Sequence, residues 1–155
     1  MILVADDAPF NTFTLGNLLG QEGFKVEKAS NGAEAVSLLS KRNETIEKLT
    51  KREKKNVLNV LHITTEVEEL NQNPESECLY WLIFLDINMP VMDGFEACSK
   101  MNEMMEQNVI PYIPIIACSG EDEADIQAWK QRGFADVLPK PVTREKLQIL
   151  LKIFT

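Results

Sequence analysis

The sequence predicts an α/β protein built on a doubly wound sheet of five parallel strands, with a helical insertion after its second helix. Three observations carry that reading. Apolar runs at Ile2 to Ala5, Trp81 to Leu85 and Ile113 to Cys118 show no polar alternation, as expected of strands covered by helices on both faces. Helical apolar spacing fills the segments between them, so strand and helix alternate five times along the chain. Asp6-Asp7, Asp86 and Lys140-Pro141 each fall where a strand gives way to a loop, which in a parallel sheet gathers three acids and one lysine at a single crevice.

Taken in order, Ile2 to Ala5 is the first strand. The helix after it, Phe10 to Glu22, places Phe13, Leu15, Leu18 and Leu19 at helical spacing and ends at Gly23. Lys25 to Ala29 alternates more and suits an edge strand. A second helix over Gly32 to Ser40 carries Ala35, Val36, Leu38 and Leu39, and helices over Phe95 to Gln107 and Glu123 to Arg132 follow the third and fourth strands. Gly133 closes the last of these, and Ala135 to Leu138 reads as one more buried strand. Thr143 caps the final helix, Thr143 to Ile153, over Lys146.

The stretch 41–79 is far longer than an ordinary connection between a helix and a strand. Ile46, Leu49, Val57, Val60, Leu61, Val67 and Leu70 keep a helical spacing, and Asn71-Gln72-Asn73-Pro74 ends it. The second helix is therefore expected to lengthen, and a further helix to run back. Lys41 to Lys55 holds seven Lys/Arg against three Glu, whereas Asn56 to Cys78 has five Glu and no Lys or Arg, so a basic arm would face an acidic one. A solvated, partly disordered insertion is the alternative. The chain as a whole reads as one domain, 1–155, with the insertion inside it.

Composition bounds the function. With 45 % apolar and 26 % charged residues, the 155-residue chain has the make-up of an ordinary globular domain. No apolar run approaches the about 20 residues that span a bilayer, and no signal-like segment opens the chain, so a cytoplasmic location without membrane attachment is expected. A net charge of −8 argues against nucleic acid as a direct ligand. Cys78, Cys98 and Cys118 are odd in number and lack metal-site spacing, so reduced thiols are expected, with Cys118 buried. His62, the single histidine, sits in the insertion and reads as an ordinary helix residue.

Three close carboxylates repel one another, so the cluster must take up protons or bind a cation. Lys140 supplies one positive charge, and Mg²⁺, which favours a few carboxylates together with waters and phosphate oxygens, suits the remainder. Such a site fits a phosphoryl group.

These residues carry a resemblance. ILVADD, LIFLDINMPVMDG, IPIIACSG and ADVLPKP resemble, in order and spacing, the receiver domain of two-component response regulators, whose sheet is of the flavodoxin-like kind. The resemblance implies that Asp86 accepts the phosphoryl group, that Asp6 and Asp7 hold Mg²⁺ (or Mn²⁺) with Asp7 the direct ligand and Asp6 acting through water, and that the backbone carbonyl of Asn88 is a further ligand. It implies that Lys140, before a cis Pro141, and the Ser119 hydroxyl contact phosphoryl oxygens, that Gly120 leaves an open approach, and that Asn88 and Glu121 tune a phosphoryl lifetime of seconds to minutes. Val137 departs from the family, which often has Tyr or Phe there as a switching ring.

The implied partner is a histidine kinase or a histidine phosphotransfer protein, with the chain a monomer or a weak phosphorylation-dependent dimer. MPVMDG and the aromatic-free ADVLPKP look most like receivers of hybrid histidine kinases. Two other classes compete: a Mg²⁺-dependent phosphatase of the haloacid dehalogenase type, which wants an acid where this chain has Asn88, and a degenerate receiver that binds partners without phosphate.

Overall fold

Short apolar runs can bury both faces only inside a layered structure, and that is how the chain folds. The computed structural model describes residues 1–60, 79–120 and 126–155. Their elements are β1 (Ile2–Ala5), α1 (Pro9–Gln21), β2 (Val26–Ala29), α2 (Gly32–Val60), β3 (Leu82–Asp86), α3 (Gly94–Glu106), β4 (Ile115–Ser119), α4 (Ile126–Gln131), β5 (Asp136–Pro139) and α5 (Arg144–Phe154). The strands form one parallel sheet in the order β2-β1-β3-β4-β5.

Successive strand residues point to opposite faces, and each face has its own core. Ile2, Val4, Leu82, Phe84, Ile116 and Cys118 pack on one side with Leu15 and Leu19 of α1 and Leu147, Leu150 and Leu151 of α5. Leu3, Ala5, Ile83, Leu85, Ile115 and Ala117 pack on the other with Ala35 and Leu39 of α2 and Ala97, Cys98 and Met101 of α3. All residues of β1, β3 and β4 are buried. The edge strand β2 is half covered, with only Ala29 buried.

The fifth strand corrects the sequence reading. Ala135 to Leu138 is expected to be a buried strand, yet β5 is the second edge and only Leu138 within it is buried. A short apolar run has the same appearance whether one or two strands flank it; pairing partners decide its burial.

Helix boundaries follow local chemistry. Thr143 accepts a hydrogen bond from Lys146 N, and Asp93 caps α3 by accepting one from Glu96 N. Gly23 and Gly133 take φ of +88° and +96° after their helices. Because α2 runs on to Val60, the outgoing arm of the expected insertion is helical. The returning arm, with His62 and Cys78, lies outside the described residues. Glu27 of β2 joins the two flanks of that stretch: Arg42 donates to it at 2.8 Å, the buried Tyr80 hydroxyl donates to it as well, and the Arg42 guanidinium stands 5.0 Å from the centre of the Tyr80 ring. Burial opposes the Glu27 charge, but these two donors outweigh it and lower its pKa. Burial and the Glu27 hydrogen bond push the Tyr80 phenol well above its ordinary range.

The loop after β3 is closely packed against the strand it leaves. Gly94 N donates to Ile87 O at 2.9 Å, and a Cβ on Gly94 would lie 2.2 Å from the Asp86 carbonyl oxygen. Met92 N reaches back to Pro90 O at 2.7 Å across Val91, whose φ is +68° and whose side chain is 84 % exposed. That is the γ-turn conformation, strained for a β-branched residue. Two neighbouring substitutions should therefore move stability in opposite directions by urea unfolding. Gly94→Ala is expected to cost about 2 kcal/mol or more through overpacking. Val91→Asn, at an exposed position that gives up no burial, is expected to add about 1 kcal/mol by relieving the positive φ.

Candidate functional site

In the strand order, connections depart in opposite directions from β1 and β3, and the crevice outside their carboxyl ends is the usual ligand position of such sheets. Asp6 follows β1, Asp86 ends β3, Ser119 ends β4, and Lys140 follows β5. In the β3–β4 register Asp86 lies opposite Cys118, so Ser119 stands one step beyond it. Asp6, Asp86 and Ser119 are buried, whereas Asp7, Asn88 and Gly120 are exposed. A Cβ on Gly120 would meet nothing within 4 Å. Glu121 lies outside the described residues.

One ammonium joins the acids. Lys140 Nζ donates to Asp6 Oδ2 at 2.8 Å and to Asp86 Oδ1 at 2.9 Å, reaching both from the far side of a cis Lys140-Pro141 bond. Asp86 Oδ1 also accepts from Ile87 N at 2.9 Å; Oδ2 accepts no hydrogen bond from any described residue. Burial raises the Asp86 pKa, the Lys140 hydrogen bond opposes the rise, Asp6 adds to it, and the net direction is upward. Burial works against the Lys140 charge, but its two carboxylate partners prevail and raise its pKa.

The acidic pair divides into two unlike members. The Asp6 carboxylate accepts from three groups: Oδ1 accepts from Ala8 N at 2.9 Å and Asn11 Nδ2 at 3.1 Å, and Oδ2 from Asn11 Nδ2 at 3.0 Å and from Lys140. Asp7 is exposed, and no side-chain hydrogen bond to it is formed by a described residue. Carboxylate oxygens of Asp6, Asp7 and Asp86 lie within 4.8 Å of one another. Three hard oxygen donors against one ammonium suit a divalent cation such as Mg²⁺.

Sequence reasoning missed Asn11. It stands five residues after Asp6 on the first turn of α1, and its only signal is position, since a side chain at the third helical residue can reach back over the helix start. Beyond Lys140, a cleft of about 530 Å³ runs between α1 and the start of α5, lined by Phe10, Asn11, Thr14, Leu15, Pro141 and Val142.

Val137 is half-buried and pairs with Ala117. The aromatic rings of this region lie elsewhere: Phe134 is buried against Phe95 and Trp129, with ring centroids 6.0 Å away in each case. Among the described residues Cys98 and Cys118 are free and buried, and burial pushes the thiols of both up to about 12, so they stay protonated. No described helix is long and apolar enough to cross a membrane.

Comparison with known proteins agrees with this geometry. The family model for the response regulator receiver domain matches residues 43–152. Protein PilH of Pseudomonas aeruginosa is 28 % identical over 146 residues, 94 % of this chain and 89 % of PilH. Hybrid signal transduction histidine kinase L of Dictyostelium discoideum is 26 % identical over 153 residues, 97 % of this chain. The chain spans 5 %, 10 % and 7 % of the length of three curated relatives, among them that kinase, so these contain much besides the matching region. The crystal structure of chemotaxis protein CheY4 of Vibrio cholerae superposes with a TM-score of 0.64 at 23 % identity, covering 99 % of this chain and 97 % of that one, which is a likeness of fold. From the family match and the shared sheet, the chain belongs to the response regulator receiver domains of two-component signalling.

Proposed function

We propose that Asp86 accepts a phosphoryl group from a histidine of a kinase or phosphotransfer protein and that the chain switches conformation in response. The observation that carries this reading is Lys140 bridging two buried acids while a third carboxylate lies within 4.8 Å. Asp86 Oδ2, without a donor among the described residues, is the attacking oxygen. As its bond to phosphorus forms, the phosphorus–nitrogen bond breaks and the imidazole keeps the electron pair. Phosphoryl transfer of this kind asks for positioning and charge neutralisation more than for a strong base. The Lys140 ammonium turns to a phosphoryl oxygen, and the Ser119 hydroxyl donates to another.

Mg²⁺ (or Mn²⁺), held by Asp7, Asp86 and the Asn88 backbone carbonyl with Asp6 acting through water, would supply the remaining positive charge for the incoming oxygens. Gly120, with open space around it, leaves room for the donor. Asn88 and Glu121 set how quickly the phosphoryl group is lost. With Val137 in place of an aromatic ring, the switch runs through movement of Ser119. We place the chain in the cytoplasm, as a monomer or a weak phosphorylation-dependent dimer, with 41–79 an insertion in a single domain.

Incubation with acetyl phosphate should add one phosphoryl group by intact mass, in the wild type with Mg²⁺ and in neither the Asp86→Ala variant nor EDTA. Addition that persists in Asp86→Ala would move the acceptor elsewhere.

Charge at the site also predicts how stability responds to pH. Because the folded-state pKa of Asp86 is raised, this group's contribution to stability is present below the ordinary carboxylate range and is lost as pH rises through the raised value. In metal-free buffer, Asp86→Asn should therefore gain stability relative to wild type between acid pH and neutrality. Mg²⁺ at a hundred times its dissociation constant should restore about 2.7 kcal/mol to the wild type and much less to the variant. Parallel unfolding profiles in metal-free buffer, and equal Mg²⁺ effects, would contradict this.

A further inference from the structure

We infer that Asn11 is a positioning residue for cation binding, acting through the Asp6 carboxylate; this rests on the reading of Asp6, Asp7 and Asp86 as a cation site. Its amide nitrogen carries two hydrogens, and Nδ2 lies 3.1 Å from Asp6 Oδ1 and 3.0 Å from Oδ2. Both oxygens of one carboxylate are thus held by one neutral donor. Ala8 N on Oδ1 and Lys140 on Oδ2 complete the set, so Asp6 is held from three directions: by the start of α1, by the first turn of α1, and by the end of β5.

Charge explains why a neutral donor suits this place. Asp6 is buried beside Asp86, and Lys140 is shared between them. A second cation on Asp6 would cancel the negative charge that a divalent ion needs. An amide fixes the carboxylate's plane and leaves its charge intact. Asp6 then keeps one orientation toward Asp7 and Asp86, close enough to act through a water on an ion that those two hold directly. Without Asn11, the carboxylate would keep one donor on each oxygen and could rotate about its Cβ–Cγ bond. Outer-sphere groups commonly change metal affinity by about 10-fold to 100-fold when removed; Asp6 is such a group, and Asn11, acting on it one step further out, is expected at the low end of that range.

The test compares Asn11→Leu, similar in volume but without donors, with Asn11→Ala, which removes both the amide and the bulk. Mg²⁺ binding is measured by titration calorimetry on the full chain, and phosphorylation by acetyl phosphate is followed as a function of Mg²⁺. Both variants should bind Mg²⁺ about 10-fold more weakly. Half-maximal phosphorylation should need correspondingly more Mg²⁺, while the rate at saturating Mg²⁺ stays near that of the wild type.

Wild-type Mg²⁺ affinity in both variants, or in Asn11→Leu alone, would overturn the proposal, the second result making Asn11 a packing residue. A rate that saturating Mg²⁺ does not recover would place its action on the transfer itself and overturn it as well. Loss of the cooperative unfolding transition in both variants would make Asn11 a residue of the fold instead. A wild type that binds no Mg²⁺ would remove the cation reading itself, and this inference with it.

Discussion

The Lys140 ammonium, 2.8 Å from Asp6 and 2.9 Å from Asp86, is the contact on which the arrangement of the site depends. It ties the ends of β1, β3 and β5 together across gaps of 134 and 54 residues in sequence. Each partner is partly or wholly withdrawn from water, so leaving any one of them unpaired would be costly. One positive charge cannot neutralise two buried acids and a third beside them, however. The raised pKa of Asp86 registers that shortfall: burial is its largest cause, and the Asp6 charge adds to it. A group that gains stability from added positive charge is suited to respond to a cation and to a phosphoryl group that arrives with one.

The backbone around Asp86 is held as firmly as its side chain. Gly94 approaches the Asp86 carbonyl so closely that no Cβ fits, and the turn across Val91 keeps a positive φ that a valine adopts only under constraint. Strain at an exposed residue three positions before Gly94 suggests a reason in the loop rather than in the side chain. The loop must leave β3 and enter α3 within a few residues, and Asp93 closes it by capping that helix.

Away from the crevice, two side-chain clusters define how the outer elements sit. Glu27 of the edge strand is joined to Arg42 within α2 and to Tyr80 just before β3. Phe95, Trp129 and Phe134 pack together between α3, α4 and the start of β5, with the Arg132 guanidinium 4.1 Å from the centre of the Phe95 ring. Phe134 of this cluster lies two residues before β5, and Val137 within β5 carries no ring.

How much could be read in advance depended on whether the cause was local. Burial on both faces leaves an unbroken apolar run, so β1, β3 and β4 were legible, as were helix caps such as Thr143 and helix ends such as Gly23 and Gly133, whose chemistry lies within four residues. The acids and the lysine were legible as strand-end residues because parallel strands all finish on one side of the sheet. Tertiary structure alone decided that β5 is an edge, since an apolar run carries no record of how many strands will flank it. It alone decided that Asp6 accepts from three groups while the Asp7 side chain accepts from no described residue, though the two are identical neighbours in sequence. It alone brought Asn11 onto Asp6 and joined Glu27, Arg42 and Tyr80. The edge position of β5 and the Glu27 cluster depend on where distant pieces of backbone meet, and the Asn11 contact, only five residues from Asp6, depends on how the chain turns from β1 into α1.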